Sequence, residues 1–259
     1  MKISIITVCF NSAYTIEDTI LSVISQTHKD IEYIIVDGGS TDNTLAIIDK
    51  YRTNISHLIS EPDDGLYDAM NKGIKLATGD AIGILNSDDI FQDNNVLSHV
   101  ATTLSDSAID ACYGDLVYVS QHDVGQVVRL WKSCNYDESL WATGWVPAHP
   151  TFFAKNNVYK NHGLFDVSNR LAADYEFLIR VIGRDKIRVK YIPEVLVRMR
   201  LGGETNKNLK NIVRQNFEII RAAKKNGFTF SITRFVIKKL KLKINEYRNA
   251  SLSLKGNIR

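Results

Sequence analysis

The chain has 259 residues, 44% of them hydrophobic and 24% charged, enough for one large α/β domain with an appendage and for a substantial core. Its three cysteines, Cys9, Cys112 and Cys134, are odd in number, widely spaced and without a Cys-x-x-Cys pair, which speaks against a disulfide framework or a zinc site and for a reducing cytoplasm. The net charge of +3 hides an asymmetry: residues 1–206 hold 18 Lys and Arg against 27 Asp and Glu, whereas residues 207–259 hold 14 against 2. An acidic body with a basic extension suits a catalytic domain brought to an anionic surface, and the acidic body argues against nucleic acid as the partner.

In chain order, residues 2–9 read as a first buried strand, too short and too poorly flanked for a signal peptide. Asn11 and Ser12 follow as candidate caps for a helix with Ile16, Ile20, Leu21 and Ile24 on one face. The pattern repeats in a strand over Ile31–Asp37, a turn from Gly38 to Asp42, and a helix through Leu45, Ile48 and Tyr51. A third strand over 55–60 ends at Glu61-Pro-Asp63-Asp64-Gly65, before a helix over 66–77. The fourth apolar run, Ile82-Gly-Ile-Leu85, stops abruptly at Asn86-Ser87-Asp88-Asp89. Alternating strands and helices joined by short turns predict a Rossmann-like, doubly wound and mostly parallel α/β sheet with right-handed crossovers.

Beyond residue 105 the alternation breaks. Residues 111–120 and 126–132 predict a hairpin, 131–145 are aromatic and irregular, and a helix over 172–182 carries Asp174. A strand pair is expected near 187–199, and Gly202-Gly203 make a joint before a helix over 209–225. The domain reading is therefore 1–206, divided into halves at 105/106, followed by a basic helical extension over 207–259. No uncharged apolar stretch is long enough to span a bilayer.

Three strands end in polar or acidic groups: Thr7 with Asn11, Asp37, and Asp88 with Asp89. In a parallel sheet these ends share the edge where ligands gather. Oxygen-only ligands suit Mg²⁺ or Mn²⁺ better than zinc, although an Asp pair also caps helices. Asp37 is placed to accept hydrogen bonds from a ribose or base, or else to hold the Gly-Gly-Ser-Thr turn. No Gly-x-Gly-x-x-Gly or P-loop pattern is present, which disfavours dehydrogenases and P-loop enzymes and leaves a metal to hold phosphates.

The segments Thr7-Val-Cys-Phe-Asn11, Val36-Asp-Gly-Gly-Ser-Thr-Asp42, Asp68-Ala-Met-Asn71-Lys-Gly73, Leu85-Asn-Ser-Asp-Asp89, His149-Pro-Thr-Phe-Phe153 and Ala173-Asp-Tyr-Glu176 together resemble family 2 glycosyltransferases of the GT-A fold, up to about Gly203. Within that family the chain looks like the colanic acid and O-antigen enzymes of bacterial surface polysaccharide assembly. The resemblance implies that Thr7, Asn11, Asp37 and Asp63 surround a nucleoside. It also implies that Asp88, with Asp89 beside it, holds the metal on the donor diphosphate, and that Asp174 is the catalytic base. Two positions depart from the pattern. Asn86 stands where the signature often has Asp, keeping an acceptor oxygen but losing a charge. Met70 stands where an Arg near the phosphates is frequent, and Lys72 is the candidate to replace it.

The chemistry follows from the residue types. A sugar hydroxyl needs a base to take its proton as it attacks the anomeric carbon, and one base opposite the leaving diphosphate implies inversion. A divalent cation offsets the charge developing on that leaving group. His149 is a candidate contact for acceptor or diphosphate, or else a packing residue. Trp131, Trp141 and Trp145 offer stacking walls, or else core. The expected partners are a UDP-sugar and a lipid-linked saccharide. The competing readings are a sugar-1-phosphate nucleotidyltransferase, which would need a Gly-rich, Arg-containing first loop where Val8-Cys-Phe-Asn11 stands, and a nucleic-acid binder using the basic tail. In that tail Ile232, Phe235, Val236, Leu240, Ile244 and Tyr247 fall on one side of a helix with Arg234, Lys238, Lys241 and Arg248 elsewhere, a basic amphipathic pattern that predicts a peripheral seat on the inner face of the cytoplasmic membrane, or else a segment packed on the catalytic domain or an edge strand over 239–244.

Overall fold

The computed structural model describes residues 1–143, 145–202 and 209–228. A nine-stranded sheet runs through it in the order β3-β2-β1-β4-β8-β6-β9-β5, with β7 paired to β6. The first half alternates as the sequence predicts: β1 (Ile3–Cys9), α1 (Ile16–Ile24), β2 (Ile31–Asp37), α2 (Thr44–Asp49), β3 (His57–Ser60), α3 (Leu66–Leu76) and β4 (Ala81–Ile84). The four strands are mutually parallel. Their side chains divide by period two between the faces. Ile6, Val8, Ile34 and Val36 pack with α3, and Ile3, Ile5, Tyr33 and Ile35 pack with α1 and α2. Helices thus cover both faces of β1, β2 and β4, which are buried along nearly their whole length.

The second half holds β5 (Asp89–Phe91), α4 (Val96–Leu104), β6 (Ala111–Val119), β7 (Val127–Trp131), β8 (Phe153–Lys155), α5 (Asn156–His162), α6 (Ala173–Leu178), β9 (Val189–Arg200) and α7 (Leu209–Lys225). The hairpin β6–β7 is antiparallel, as read from sequence. Four expectations are corrected. The strand pair near 187–199 is one twelve-residue strand, which pairs with β6 on one side and β5 on the other. The short strands β5 and β8 were not foreseen, because three residues carry no periodicity to read. The helix at Asp174 ends at Leu178 and continues as a π-helical segment, Ile179–Arg184. Finally, Asn11 and Ser12 do not cap α1 with their side chains; the N-cap residue is Thr15, and Asn11 sits in the left-handed region with φ of 49°. The amphipathic pattern read over 232–248 lies outside the described residues.

One buried amide ties the halves together. Asn71 on α3 donates from Nδ2 to the Phe165 carbonyl (2.9 Å) and accepts from the Phe165 N–H at Oδ1 (3.0 Å). At the amino edge of the sheet, buried Glu32 accepts from Lys2 Nζ (2.8 Å), Ser4 Oγ (2.5 Å), and the Thr78 N–H (2.7 Å) and hydroxyl (2.5 Å). Burial alone would raise its pKa, but these hydrogen bonds win and hold it at about 2. A carboxyl depressed in the folded state stabilises the fold above its unfolded pKa, and the contribution is lost as pH falls through the folded value. Glu32→Gln is therefore expected to lower urea-unfolding stability near neutral pH by up to ~3 kcal/mol. The gap to wild type should close as pH falls from about 5 towards 2; a gap unchanged over that range would show that the carboxylate charge is not what matters.

Candidate active site

The strand order reverses between β1 and β4, so the loops after these two strands open a crevice at the carboxyl edge, where open α/β sheets bind ligands. After β1, Phe10 is 61% exposed, a large ring left bare at the crevice. Asn11 braces the facing loop. Its N–H donates to Ser40 Oγ (2.8 Å) and its Oδ1 accepts from the Thr41 N–H (2.9 Å). Asp37 ends β2 and is fully buried. It accepts from the Gly39 N–H (3.2 Å), Ser40 N–H (3.0 Å), Ser40 Oγ (2.5 Å), Ser60 Oγ (2.8 Å) and the Cys9 thiol (3.5 Å). Burial pushes its pKa up, but the Ser40 and Ser60 hydrogen bonds prevail and lower it. Both oxygens are occupied, so Asp37 shapes the Gly38–Asp42 loop from beneath. Thr7 is likewise fully buried and shares a hydrogen bond with Tyr33 Oη (3.1 Å).

Asp63, half-buried after β3, accepts the Gly65 N–H at Oδ1 (2.8 Å) and lays Oδ2 against Gly38, where any Cβ would collide with it. Gly65, with φ of 114°, makes the turn into α3 that an L-residue would strain. Lys72 stands one turn along α3 and pairs with Glu61 (2.9 Å) and Asp68 (3.5 Å), also donating to the Pro62 carbonyl (3.0 Å). The Glu61 hydrogen bond, joined by the Glu61 and Asp68 charges, raises the Lys72 pKa against an opposing desolvation. Lys72 thus pins the 61–64 loop.

Between β4 and β5, Asn86, Ser87 and Asp88 form a tight turn closed by the Asp89 N–H donating to the Asn86 carbonyl (3.0 Å). Asn86 Nδ2 approaches Asp89 Oδ2 at 3.5 Å, which turns Oδ1 the other way; that buried oxygen has no hydrogen-bond partner. Asp88 is half-buried, and desolvation raises its pKa against a lowering influence from its own backbone and Arg200. Asp89 is fully buried and its pKa is raised well above the carboxylate range by burial and then by the Asp88 charge. Arg200, at the end of β9, secures the turn. Nη1 donates to the Asp88 carbonyl (2.9 Å), Nη2 pairs with Asp18 on α1, and the Arg200 N–H donates to Asp89 Oδ1 (3.3 Å). An orphaned amide oxygen beside a carboxylate is a donor set that fits a hard divalent cation. No three His, Cys, Asp or Glu side chains gather into a metal cluster among the described residues, so the turn would supply only part of a coordination shell. Mg²⁺ or Mn²⁺ tolerate that by completing the shell with water and phosphate oxygens.

His149 and Asp174 bring the second half to this edge. β8 runs antiparallel to β4 with Phe153 opposite Gly83, so the 3₁₀ turn His149–Thr151 preceding β8 lies beyond the end of β4. Thr151 fastens it, donating to the Ala148 carbonyl (2.8 Å) and accepting the Gly114 N–H (3.2 Å). His149 packs edge-on to Phe165, and burial lowers its pKa against the pull of the Asp174 charge. Asp174 lies in the first turn of α6 and accepts from Tyr67 Oη of α3 (2.9 Å). The alternative partner read from sequence, Arg170, does not hold it in any hydrogen bond or ion pair seen among the described residues. Trp141 is buried and donates to Tyr136 Oη (2.8 Å) within a cluster with Trp145 and Phe228, whereas Trp131 is half-buried on β7.

The profile of the family described as "Glycosyl transferase family 2" matches residues 4–173, which include every segment of this crevice up to the start of α6. The chain belongs to glycosyl transferase family 2. It is 29% identical over 197 residues to a PGL/p-HBAD biosynthesis glycosyltransferase of Mycobacterium tuberculosis, covering 74% of each chain. It shares the fold of S. aureus TarS 1-349 solved with UDP, with TM-score 0.63 and 19% identity over 87% of this chain and 65% of that one. It also shares the fold of the mannosyltransferase PcManGT from Pyrobaculum calidifontis in complex with GDP-Man and Mn2+, with TM-score 0.64 and 16% identity over 99% of this chain and 70% of that one. These likenesses establish the GT-A architecture.

Within this glycosyltransferase the structure gathers Asn11, Asp63, Asn86 and Asp88 around the β1/β4 crevice, and His149 with Asp174 beside α3. It turns Thr7, Asp37, Asp89 and Lys72 toward the protein. Sequence reasoning missed Phe10, Tyr67 and Arg200. Phe10 lies within the Thr7–Asn11 segment and Tyr67 immediately precedes Asp68, and their chemistry is visible only once exposure and partners are known; Arg200 comes from 111 positions beyond Asp89 and left no local signal. The Gly38 contact yields a test. Gly38→Ala is expected to push the Asp63 carboxylate aside and to destabilise the fold by about 1 kcal/mol, the low end of the overpacking range, as read by urea denaturation. Adding Asp63→Ala removes the colliding carboxylate and should restore most of the loss; a double variant as unstable as Gly38→Ala would place the strain elsewhere.

Proposed function

We propose that the protein is an inverting glycosyltransferase that moves a sugar from a nucleotide-diphosphate donor, a UDP-sugar, to a lipid-linked saccharide in bacterial surface polysaccharide assembly. The observation that carries this reading is the orphaned Asn86 oxygen beside Asp88 at the β1/β4 crevice, with Asp174 delivered to the same edge by α6 and α3. Phe10 offers a bare ring for a base, and the Gly38–Asp42 and 61–65 loops, braced by Asp37, Asn11 and Lys72, frame the nucleoside with Asp63 between them. Asn86 and Asp88, with Asp89 anchoring their turn, would hold Mn²⁺ or Mg²⁺, which when bound offsets charge on the leaving diphosphate. Asp174 accepts the proton of the attacking hydroxyl. His149, kept neutral by burial, presents an uncharged imidazole to the acceptor or the diphosphate.

The basic segment 207–259 seats the enzyme on anionic lipid at the cytoplasmic face, where a lipid-linked acceptor is concentrated. The described part of this segment supports that reading: α7 leaves Val213 and Phe217 exposed one turn apart, with Arg221 and Lys224 on the same side. No helix among the described residues is long and apolar enough to cross a membrane. Asn226 hydrogen-bonds buried Glu176 (3.2 Å) and Phe228 packs on Trp141, so a truncation that spares the fold must fall after Phe228.

Three measurements test these assignments. UDP should raise the melting temperature in the presence of Mn²⁺ more than GDP does, and Asp88→Asn should abolish the metal-dependent part of the shift; an undiminished shift removes Asp88 from the site. Asp174→Asn should leave donor affinity near wild type and cut turnover by roughly 10²- to 10⁴-fold. The chain ending at Phe228, which keeps α7 but not the rest of the basic segment, should bind phosphatidylglycerol vesicles more weakly and with less salt sensitivity while retaining donor hydrolysis. Equal vesicle binding by both chains would show that the tail has another role.

A further inference from the structure

Asp174 occupies the first turn of a six-residue helix, and a carboxylate there has two torsions with which to turn away from a substrate. One side chain restrains it: the Tyr67 phenol, 107 residues earlier in the chain, donates to Oδ1 at 2.9 Å. The phenol is itself well held. Its ring is buried and packs against Phe165 at 5.6 Å between centroids, Phe165 packs against Phe177 at 5.0 Å, and the Phe165 backbone is fixed by Asn71 one turn along the helix from Tyr67.

We infer that Tyr67 is a positioning residue for the base, holding Oδ1 so that Oδ2 is the oxygen that receives the acceptor's proton. The inference rests on the assignment of Asp174 as the base. Of the two oxygens, Oδ1 has a lone pair committed to Tyr67, and Oδ2 keeps its full accepting capacity. Tyr67 remains a donor, since burial, followed by the Asp174 charge, raises its pKa well above the ordinary value. The charged or titratable groups around the pair are His149 from the 3₁₀ turn, which acts on Asp174, and Glu218 from α7, which acts on Tyr67. Neither replaces the phenol as a hydrogen-bond donor to Oδ1. Tyr67 also follows Gly65 by two positions, so the turn that carries Asp63 to the crevice sets the place of the phenol. Order in the donor-side loop is thereby passed to the base on the opposite half.

The test compares Tyr67→Phe with Asp174→Asn in the full-length enzyme, measuring kcat, donor KM and the melting temperature. Phenylalanine keeps the ring packing and deletes the hydrogen bond. Loss of that bond frees the carboxylate to turn and should lower kcat by about tenfold through looser orientation. Donor KM and the melting temperature should stay unchanged. If Asp174→Asn is inactive and Tyr67→Phe keeps the wild-type kcat, the positioning role is overturned and the base assignment stands. A Tyr67→Phe loss of kcat accompanied by a raised donor KM and a lower melting temperature makes the residue merely structural and also overturns it. Should Asp174→Asn turn over normally, the base assignment falls and takes the inference with it.

Discussion

The site depends on one buried amide. Asn71 meets both backbone polar groups of Phe165, and without it those groups would be buried with no partner, a cost of about 1–3 kcal/mol for each. This is the point where α3, a crossover helix of the parallel half, grips the segment leading to α6. Tyr67 on the same helix meets Asp174 one turn away, and Phe165 itself is the packing surface for both Tyr67 and His149. A shift of α3 would misplace the candidate base and the candidate acceptor contact together.

A second theme is that polar residues at strand ends do two different jobs. Some face the crevice, and others hold the loops that do. Asp37 satisfies five donors without turning outward, and Lys72 is spent on Glu61, Pro62 and Asp68. Arg200 does the same for the Asp88 turn from the far side of the sheet. Loops rich in Gly, Ser and Asp have little apolar surface to bury, so their order must come from such hydrogen bonds.

Much of the first half was legible in the sequence because its signals are local. The boundaries of β2 were read without error, and β1, α3 and the polar strand ends fell within a residue or two, since each apolar run is closed by Gly, Asp or Asn. The second half resisted for a stated reason. β5 and β8 are three residues each and exist because β9 and β4 offer them a paired edge, a long-range fact absent from the local pattern. Likewise β9 carries exposed Glu194 beside buried Leu196 and bulges against β6, which disguised one long strand as two. In the site, residue types identified the crevice, but not which carboxylates face it. Asp37 and Asp63 look equivalent in sequence, and only the count of donors around Asp37 separates them.

The order of the strands also bears on how the protein avoids sticking to copies of itself. The long, buried strands β1, β2 and β6 all lie inside the sheet, where both backbone edges are paired. The free edges are left to β3, four residues with exposed His57 and Ser60, to β5, three residues that begin at a buried carboxylate, and to β7, five residues paired only with β6. All three are short, and β7 carries Arg129 among its apolar residues, features that blunt the templating of a foreign strand. The hazard instead arises during folding, before β3 has covered the outer edge of β2 over Ile34–Asp37, a stretch that carries the β-branched Ile34, Ile35 and Val36.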